Sequence, residues 1–89
     1  MSASANTKSK TVSIADIKDR GGDLALRLRV AGFPRYNRWF AEHNPKWEGD
    51  EKIAYRIRMI LNERGGADDL GLLKECEALA DRYLPKRAA

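Results

Sequence analysis

This chain of 89 residues has one cysteine and one histidine, and that scarcity sets limits on its chemistry. Cys76 has no second thiol to meet, so no disulfide can close within one chain, and Cys76 with His43 cannot assemble the four ligands of a structural zinc site. Set at helical spacing among apolar residues, Cys76 reads as a small buried hydrophobe. A catalytic thiol would need a positioned base, and His43 lies far from it in sequence. A lone thiol fits a reducing compartment, so a cytoplasmic location is expected. No run approaches the roughly 18 apolar residues of a membrane-spanning helix, so no membrane partner is expected. The opening MSASANTKSK has no apolar core behind its lysines and reads as a polar tail, not a secretory leader. The GGD and GGAD segments lack the lysine and hydroxyl residue of a phosphate-binding loop. His43, beside Glu42, has no nucleophile or carboxylate pair patterned around it and reads as a rim or cap residue at a helix C-terminus. The expectation is a protein that is not an enzyme and holds no metal or cofactor.

What the chain does have is concentrated. Residues 33–47, FPRYNRWFAEHNPKW, hold both tryptophans, both phenylalanines, two of the three prolines and the single histidine. Arg35, Arg38 and Lys46 are interleaved among these rings. The formal charge of +4 is also unevenly placed. Between residues 24 and 47, Arg27, Arg29, Arg35, Arg38 and Lys46 face Glu42 alone, while the segments on either side are close to balanced. A basic segment beside an aromatic cluster points to a polyanionic partner or an acidic protein surface.

The chain divides into a disordered tail over residues 1–11, one helical domain over residues 12–85 and a frayed end over residues 86–89. The expected fold is mainly α, a small bundle of four to five short helices with a flexible N-terminal tail. In the tail, Lys8 and Lys10 are available to a phosphate backbone. Ser13, with Asp16 three residues later, reads as a capping box opening a first helix that carries Ile14 and Ile17 on one face, and Gly21-Gly22 reads as its end. Val12 either staples that helix or begins a short strand. Asp23 then caps a second helix that ends at Gly32. Pro34 suits the first turn of a helix running to His43, with Asn44-Pro45 as its stop. Trp47 is expected to fold back over the core. Ile53, Ile57, Ile60 and Leu61 follow the three-four spacing of a buried stripe, with Gly49 or Asp50 as cap and Gly65-Gly66 as terminator. Asp68 or Asp69 opens a last helix with an apolar face of Leu72, Leu73, Cys76, Leu79, Ala80 and Tyr83, which Pro85 ends. The opposite face of that helix, with Asp69, Lys74, Glu75, Glu77, Asp81 and Arg82, reads as solvated. Lys86-Arg87 is a short basic tag.

Residues 24–31 are ambiguous. Leu24, Leu26, Leu28 and Val30 alternate with Ala25, Arg27, Arg29 and Ala31, the period of a half-buried strand. As a helix, the same residues put Leu24, Leu28 and Ala31 on one side and Leu26 with Val30 on the other, so that the helix would be central and clasped from two directions or would give one face to a partner. Helix is preferred, because a lone strand leaves its backbone groups unpaired and no second convincing strand is present. As a strand followed by two helices, the stretch from LALRLRV through FPRYNRWFAEHN to GDEKIAYRIRMILNER resembles the layout of the ribbon-helix-helix family. That resemblance would imply a dimer with strand 24–30 paired across a two-fold axis, base contacts from Arg27 and Arg29, and an extra C-terminal helix.

Two functions are weighed, and the first of them is the leading reading. One is a small DNA-binding regulatory protein, RNA being the variant target, with Arg27, Arg29, Arg35, Arg38 and Lys46 supplying charge and Asn37 reading a base. In the helical case the outline is a helix-turn-helix, with Gly32 in the turn and Arg35, Asn37 and Arg38 presented by the second helix. The other is a protein-interaction module of an accessory or inhibitor type, with Tyr36, Trp39 and Trp47 as anchors. A homodimer is compatible with both.

Overall fold

The computed structural model describes residues 13–33 and 36–84, together with the backbone but not the side chain of Tyr36. The tail with Lys8 and Lys10, Val12, Pro34, Arg35, Pro85 and the Lys86-Arg87 pair lie outside the described residues. Among the described residues four α-helices follow in order: α1 (Ile14–Val30), α2 (Tyr36–His43), α3 (Glu51–Leu61) and α4 (Leu70–Tyr83). Short 3₁₀ turns at Pro45–Trp47 and Ala67–Asp69 lead into α3 and α4. The mainly α bundle expected from the sequence is the fold observed. Among the described residues there is no strand, and residues 24–30 form the C-terminal half of α1, so the ribbon-helix-helix alternative is overturned. A helix meets its own backbone hydrogen bonds, whereas a strand here would have none to pair with.

α1 is one helix where two were expected. It runs 17 residues through Gly21-Gly22 and past Asp23, which is an interior position and not a cap. Two interior glycines cost about 1 kcal/mol each relative to alanine. The offset is burial: Ile17, Leu24 and Leu28 are each at most 1% exposed, and the unbroken helix places all three in the same core. Burying one such side chain contributes about 1.5–3 kcal/mol. Gly21 serves a second purpose. A Cβ at this position would lie 2.0 Å from the carbonyl oxygen of Ile60, so the glycine lets the backbone of α1 lie directly against α3. Gly65 is buried in the same region, where a Cβ would meet Ile60 Cγ1 at 3.2 Å and Ile17 Cγ2 at 3.3 Å.

The helix ends follow their local chemistry. Ser13 Oγ accepts the N–H of Asp16 at 3.1 Å, while the Asp16 carboxylate turns to Arg20 at 3.5 Å. α1 closes as expected at Gly32, whose φ of 93° is the left-handed conformation glycine tolerates. Phe33 N–H reaches the carbonyl of Leu28 at 3.0 Å and Gly32 N–H that of Arg29 at 3.0 Å, the paired bonds of a Schellman ending. α3 opens on Asp50, whose carboxylate accepts from Ile53 N–H at 3.1 Å. It ends at Leu61, four residues before the expected Gly65-Gly66 stop. Glu63 occupies the left-handed position there at φ 62°, and Arg64 N–H closes on Met59 at 2.8 Å. Asp69 stands at the N-cap of α4, but its carboxylate faces back, accepting from Gly66 N–H at 2.8 Å and Arg56 Nε at 2.9 Å.

One core joins all four helices. α1 supplies Ile17, Leu24, Ala25 and Leu28; α2 supplies Trp39 and Phe40; α3 supplies Ile57, Ile60 and Leu61; α4 supplies Leu72, Leu73, Cys76 and Ala80. Trp47 and Leu84 complete it from the connecting and terminal segments. No described helix is long and apolar enough to cross a membrane.

Gly21→Ala is expected to lower stability by roughly 2–4 kcal/mol, because the added methyl must separate two backbones. Gly22→Ala meets only the flexible end of Glu63, with Oε2 at 2.8 Å, and is expected to be neutral or stabilising by up to about 1 kcal/mol. Urea unfolding of the two variants at low protein concentration measures the difference, and equal effects would remove the close-approach account.

Candidate functional site

The cations that are neighbours in sequence are separated by the fold. Arg27 and Arg29 stand two residues apart on α1, and 3.6 residues per turn sends them to opposite sides. Arg27 lies against α4, with its side chain 13% exposed. Its Nη1 donates to Asp81 Oδ1 at 3.1 Å and its Nη2 to the carbonyl of Ala80 at 3.3 Å, while Nε is buried without a partner. Its guanidinium therefore joins two helices. Arg29 is exposed on the other side, in a groove of about 310 Å³ with Gly22, Ala25, Leu26, Leu61, Asn62 and Glu63.

Asn37 and Arg38 come together in a different groove, of about 280 Å³, between α2, the Pro45–Trp47 turn and the start of α3. Ala41, Trp47 and Ala54 contribute to its lining, and so do four acids: Glu42, Glu48, Asp50 and Glu51. Two of the acids serve α3, Asp50 as its cap and Glu51 in its first turn. Among the described residues, Arg38 is thus the single cation of a strongly acidic rim. Lys46 is exposed on the 3₁₀ turn. Arg35 lies outside the described residues. Among the described residues singled out for DNA contact, Asn37 and Arg38 are the two that the fold brings together.

Two further ion pairs join one element to another. Arg20 of α1 forms two hydrogen bonds with Glu77 of α4, Nε to Oε2 at 2.9 Å and Nη2 to Oε1. These bonds to Glu77 raise the Arg20 pKa further, against a smaller opposing effect of burial. Arg56 of α3 binds the carboxylate of Asp69 and the carbonyl of Asp68. The polar face of α4 is therefore not merely solvated, since Glu77 and Asp81 hold α1 in place. All 13 acidic residues lie within the described part, whereas Lys8, Lys10, Arg35, Lys86 and Arg87, five of the 17 basic residues, lie outside it. The described part thus carries one more acid than base.

The rings form an internal stack. Trp39 and Trp47 are 3% and 7% exposed, so what they anchor is the core, and the side chain of Tyr36 is outside the described set. Trp39 meets Phe40 edge-on at 5.0 Å and the His43 ring at 4.2 Å. Tyr83 of α4 covers the other approach to His43, at 4.7 Å. Nδ1 of His43 lies 2.9 Å from the Trp39 carbonyl, which can only accept, so the proton sits on Nδ1. His43 is a rim residue as expected. Its contact with Tyr83, remote in sequence, had no local signal.

Cys76 is fully buried. Desolvation pushes its thiol up to about 12, and the neighbouring Glu75 and Glu77 add to the rise. Among the described residues no group of His, Cys, Asp and Glu side chains is arranged to hold a metal ion.

Two surface features follow from the helical reading of residues 24–31 and from the placement of α3. On α1, Leu26 and Val30 lie one turn apart and are 43% and 79% exposed, with Phe33 40% exposed just beyond the helix end. On α3, Tyr55 is 59% exposed, and Lys52 and Arg58, three residues to either side, share its outer face. The α3 face was missed because attention to the buried isoleucine stripe left its opposite side unread; the spacing Lys52, Tyr55, Arg58 was the available signal. Compared with known proteins, the chain matches no family model, and no curated protein or solved structure is significantly similar to it.

Arg27→Ala is expected to lower stability by about 1–2 kcal/mol through lost packing and lost bonds to α4, whereas Arg29→Ala should stay within about 0.5 kcal/mol. Chemical unfolding of the pair distinguishes the inward arginine from the outward one. For Cys76 the folded state holds the proton more tightly than the unfolded chain does. Its contribution is therefore intact below the ordinary thiol range and declines by about 1.4 kcal/mol per unit as pH rises from about 9 toward 12. The wild-type and Cys76→Ala unfolding curves should differ in alkaline slope, and identical slopes up to about pH 11 would contradict the burial of the thiol.

Proposed function

We propose that this chain is a protein-interaction module whose contact element is the outer face of α1. The observation that carries this reading is the exposed pair Leu26 and Val30, flanked by Arg29. Fifteen apolar residues are buried in the core, yet these two are left in water one turn apart on a helix whose first residue, Ile14, is exposed as well. A partner with an apolar groove and an acid within reach of Arg29 fits this face. The tryptophans, being internal, contribute by holding α2 and the turn after it. A cytoplasmic setting accords with the lone reduced thiol.

A second reading is DNA or RNA binding, and the outer face of α3 favours it. Lys52 and Arg58 flank the exposed Tyr55, and Arg29, Arg38 and Lys46 are exposed elsewhere on the body. Against it stand the acidic rim beside Asn37 and Arg38 and the inward turn of Arg27.

A photo-crosslinking side chain at Val30 is expected to give a discrete adduct in expressing cells, and the same group at Lys74 on α4 should give none; a blank at Val30 sinks the interaction reading. For the second reading, fluorescence anisotropy of a labelled duplex is the measurement. Binding through three or four phosphate contacts would show a log–log salt slope of roughly −3 to −4. Absence of any shift at low salt, or no effect of the Lys52→Glu/Arg58→Glu variant, rejects it.

A further inference from the structure

The groove of about 280 Å³ between α2, the Pro45–Trp47 turn and the start of α3 carries charges that the fold does not use. Asp50 and Glu51 belong to the start of α3, where a helix favours acids. Glu42 and Glu48 have no such reason for their place. Glu42 is the last residue but one of α2, an end at which the helix dipole disfavours an acid. Glu48 closes the 3₁₀ turn through its backbone N–H, which donates to the Pro45 carbonyl at 3.2 Å, and its carboxylate takes no part. Both side chains belong to exposed residues and neither is ion-paired among the described residues, nor is Arg38. Four carboxylates against one guanidinium leave the groove short of positive charge.

A second, independent feature of the groove is a donor. Trp47 lines it and is 7% exposed, yet its indole N–H makes no hydrogen bond among the described residues and is not sealed from solvent. A buried indole ordinarily finds an acceptor for that proton. A bound carbonyl would supply one, whereas a bare cation would be repelled by it. Ala41 and Ala54 add apolar wall on which a methylene stem can lie. We propose that this groove holds an extended basic segment of a partner protein: Glu42 and Glu48 grip a lysine or arginine side chain, and the Trp47 indole N–H donates to a backbone carbonyl of the same segment. A peptide joins a cationic head, an apolar stem and a carbonyl within the length of one residue, which matches the three features of the groove. Asn37 can add one donor and one acceptor to the bound backbone. The acids that count against nucleic acid at this place become the means of recognition. None of the residues of the α1 face takes part, so the proposal stands apart from the reading above.

Proton–nitrogen correlation spectra of the full chain, titrated with the peptide acetyl-Gly-Arg-Gly-amide up to roughly 5 mM, test the proposal. The indole resonance of Trp47 should move and saturate while that of Trp39, which lies outside the groove, stays in place. The same peptide with neutral citrulline for arginine should leave both still. Glu42→Gln/Glu48→Gln should raise the dissociation constant roughly tenfold, and Glu75→Gln on α4 should keep it within about twofold of the wild-type value. Both substitutions are on the surface, and an unchanged spectrum of the core amides shows that the fold is kept. A stationary Trp47 indole overturns the proposal, and so does equal binding of the citrulline peptide or indifference to the loss of Glu42 and Glu48. The chain's own basic end is the rival occupant. If Lys86→Gln/Arg87→Gln by itself moves the Trp47 indole in the absence of peptide, the groove is filled from within and a partner segment is ruled out.

Discussion

The contact between the backbones of α1 and α3 at Gly21 is the constraint on which the rest of this fold depends. With the Ile60 carbonyl 2.0 Å from where a side chain would begin, the two helices are as close as a glycine permits. That proximity lets Ile17 on one side of Gly21 and Leu24 and Leu28 on the other enter a single core. It also explains how a helix runs through two consecutive glycines. The conformational penalty at Gly21 and Gly22 is local, while the burial gained by continuing the helix is spread over both of its ends.

Once α1 is fixed as a single rod, its charges acquire definite partners. Arg20 and Arg27, seven residues apart and so on one side, reach Glu77 and Asp81 on α4. The last helix is thus held to the first by two ion pairs that sit over the edge of the core. Partly exposed pairs of this kind contribute modestly to stability, but they set the orientation of the two helices. Arg56 with Asp69 does the same between α3 and the start of α4. Three of the ten arginines, Arg20, Arg27 and Arg56, are structural, and the surface left for a partner is less basic than the overall charge implies.

The apolar face of α4, the isoleucine stripe of α3 and the Ser13, Asp50 and Gly32 caps were legible in sequence, because each depends on neighbours within one or two turns. The unity of α1 was also written there, in the spacing of Ile17, Leu24 and Leu28, which stay in phase across Gly21-Gly22. The local signal of a glycine pair followed by aspartate masked it. A glycine that ends a helix and a glycine that admits a neighbouring backbone look alike until the neighbour is known. Glu63 posed the reverse problem. It takes the left-handed position at the end of α3 although a glycine pair stands two residues further on, because Gly65 is required beneath Ile17 and Ile60.

The candidate site was legible only in outline. The split of residues 24–31 into a buried and an open side follows from the helical period, and Leu26 and Val30 do lie on the open side. Which arginines are free could not follow from order along the chain, since a helix sends Arg27 and Arg29 to opposite sides and only the position of α4 decides which is covered. By itself the sequence determined the helical class, most helix ends and much of the core, all of which are set by short-range periodicity and capping, although Ile14 and Tyr83, placed on apolar faces, are exposed. The tertiary structure alone decided that Gly21 admits a neighbouring backbone instead of ending a helix, that Arg27 is covered by α4 while Arg29 is exposed, and that Leu26 and Val30 stay uncovered among the described residues. Each of these depends on what a distant segment places against the residue.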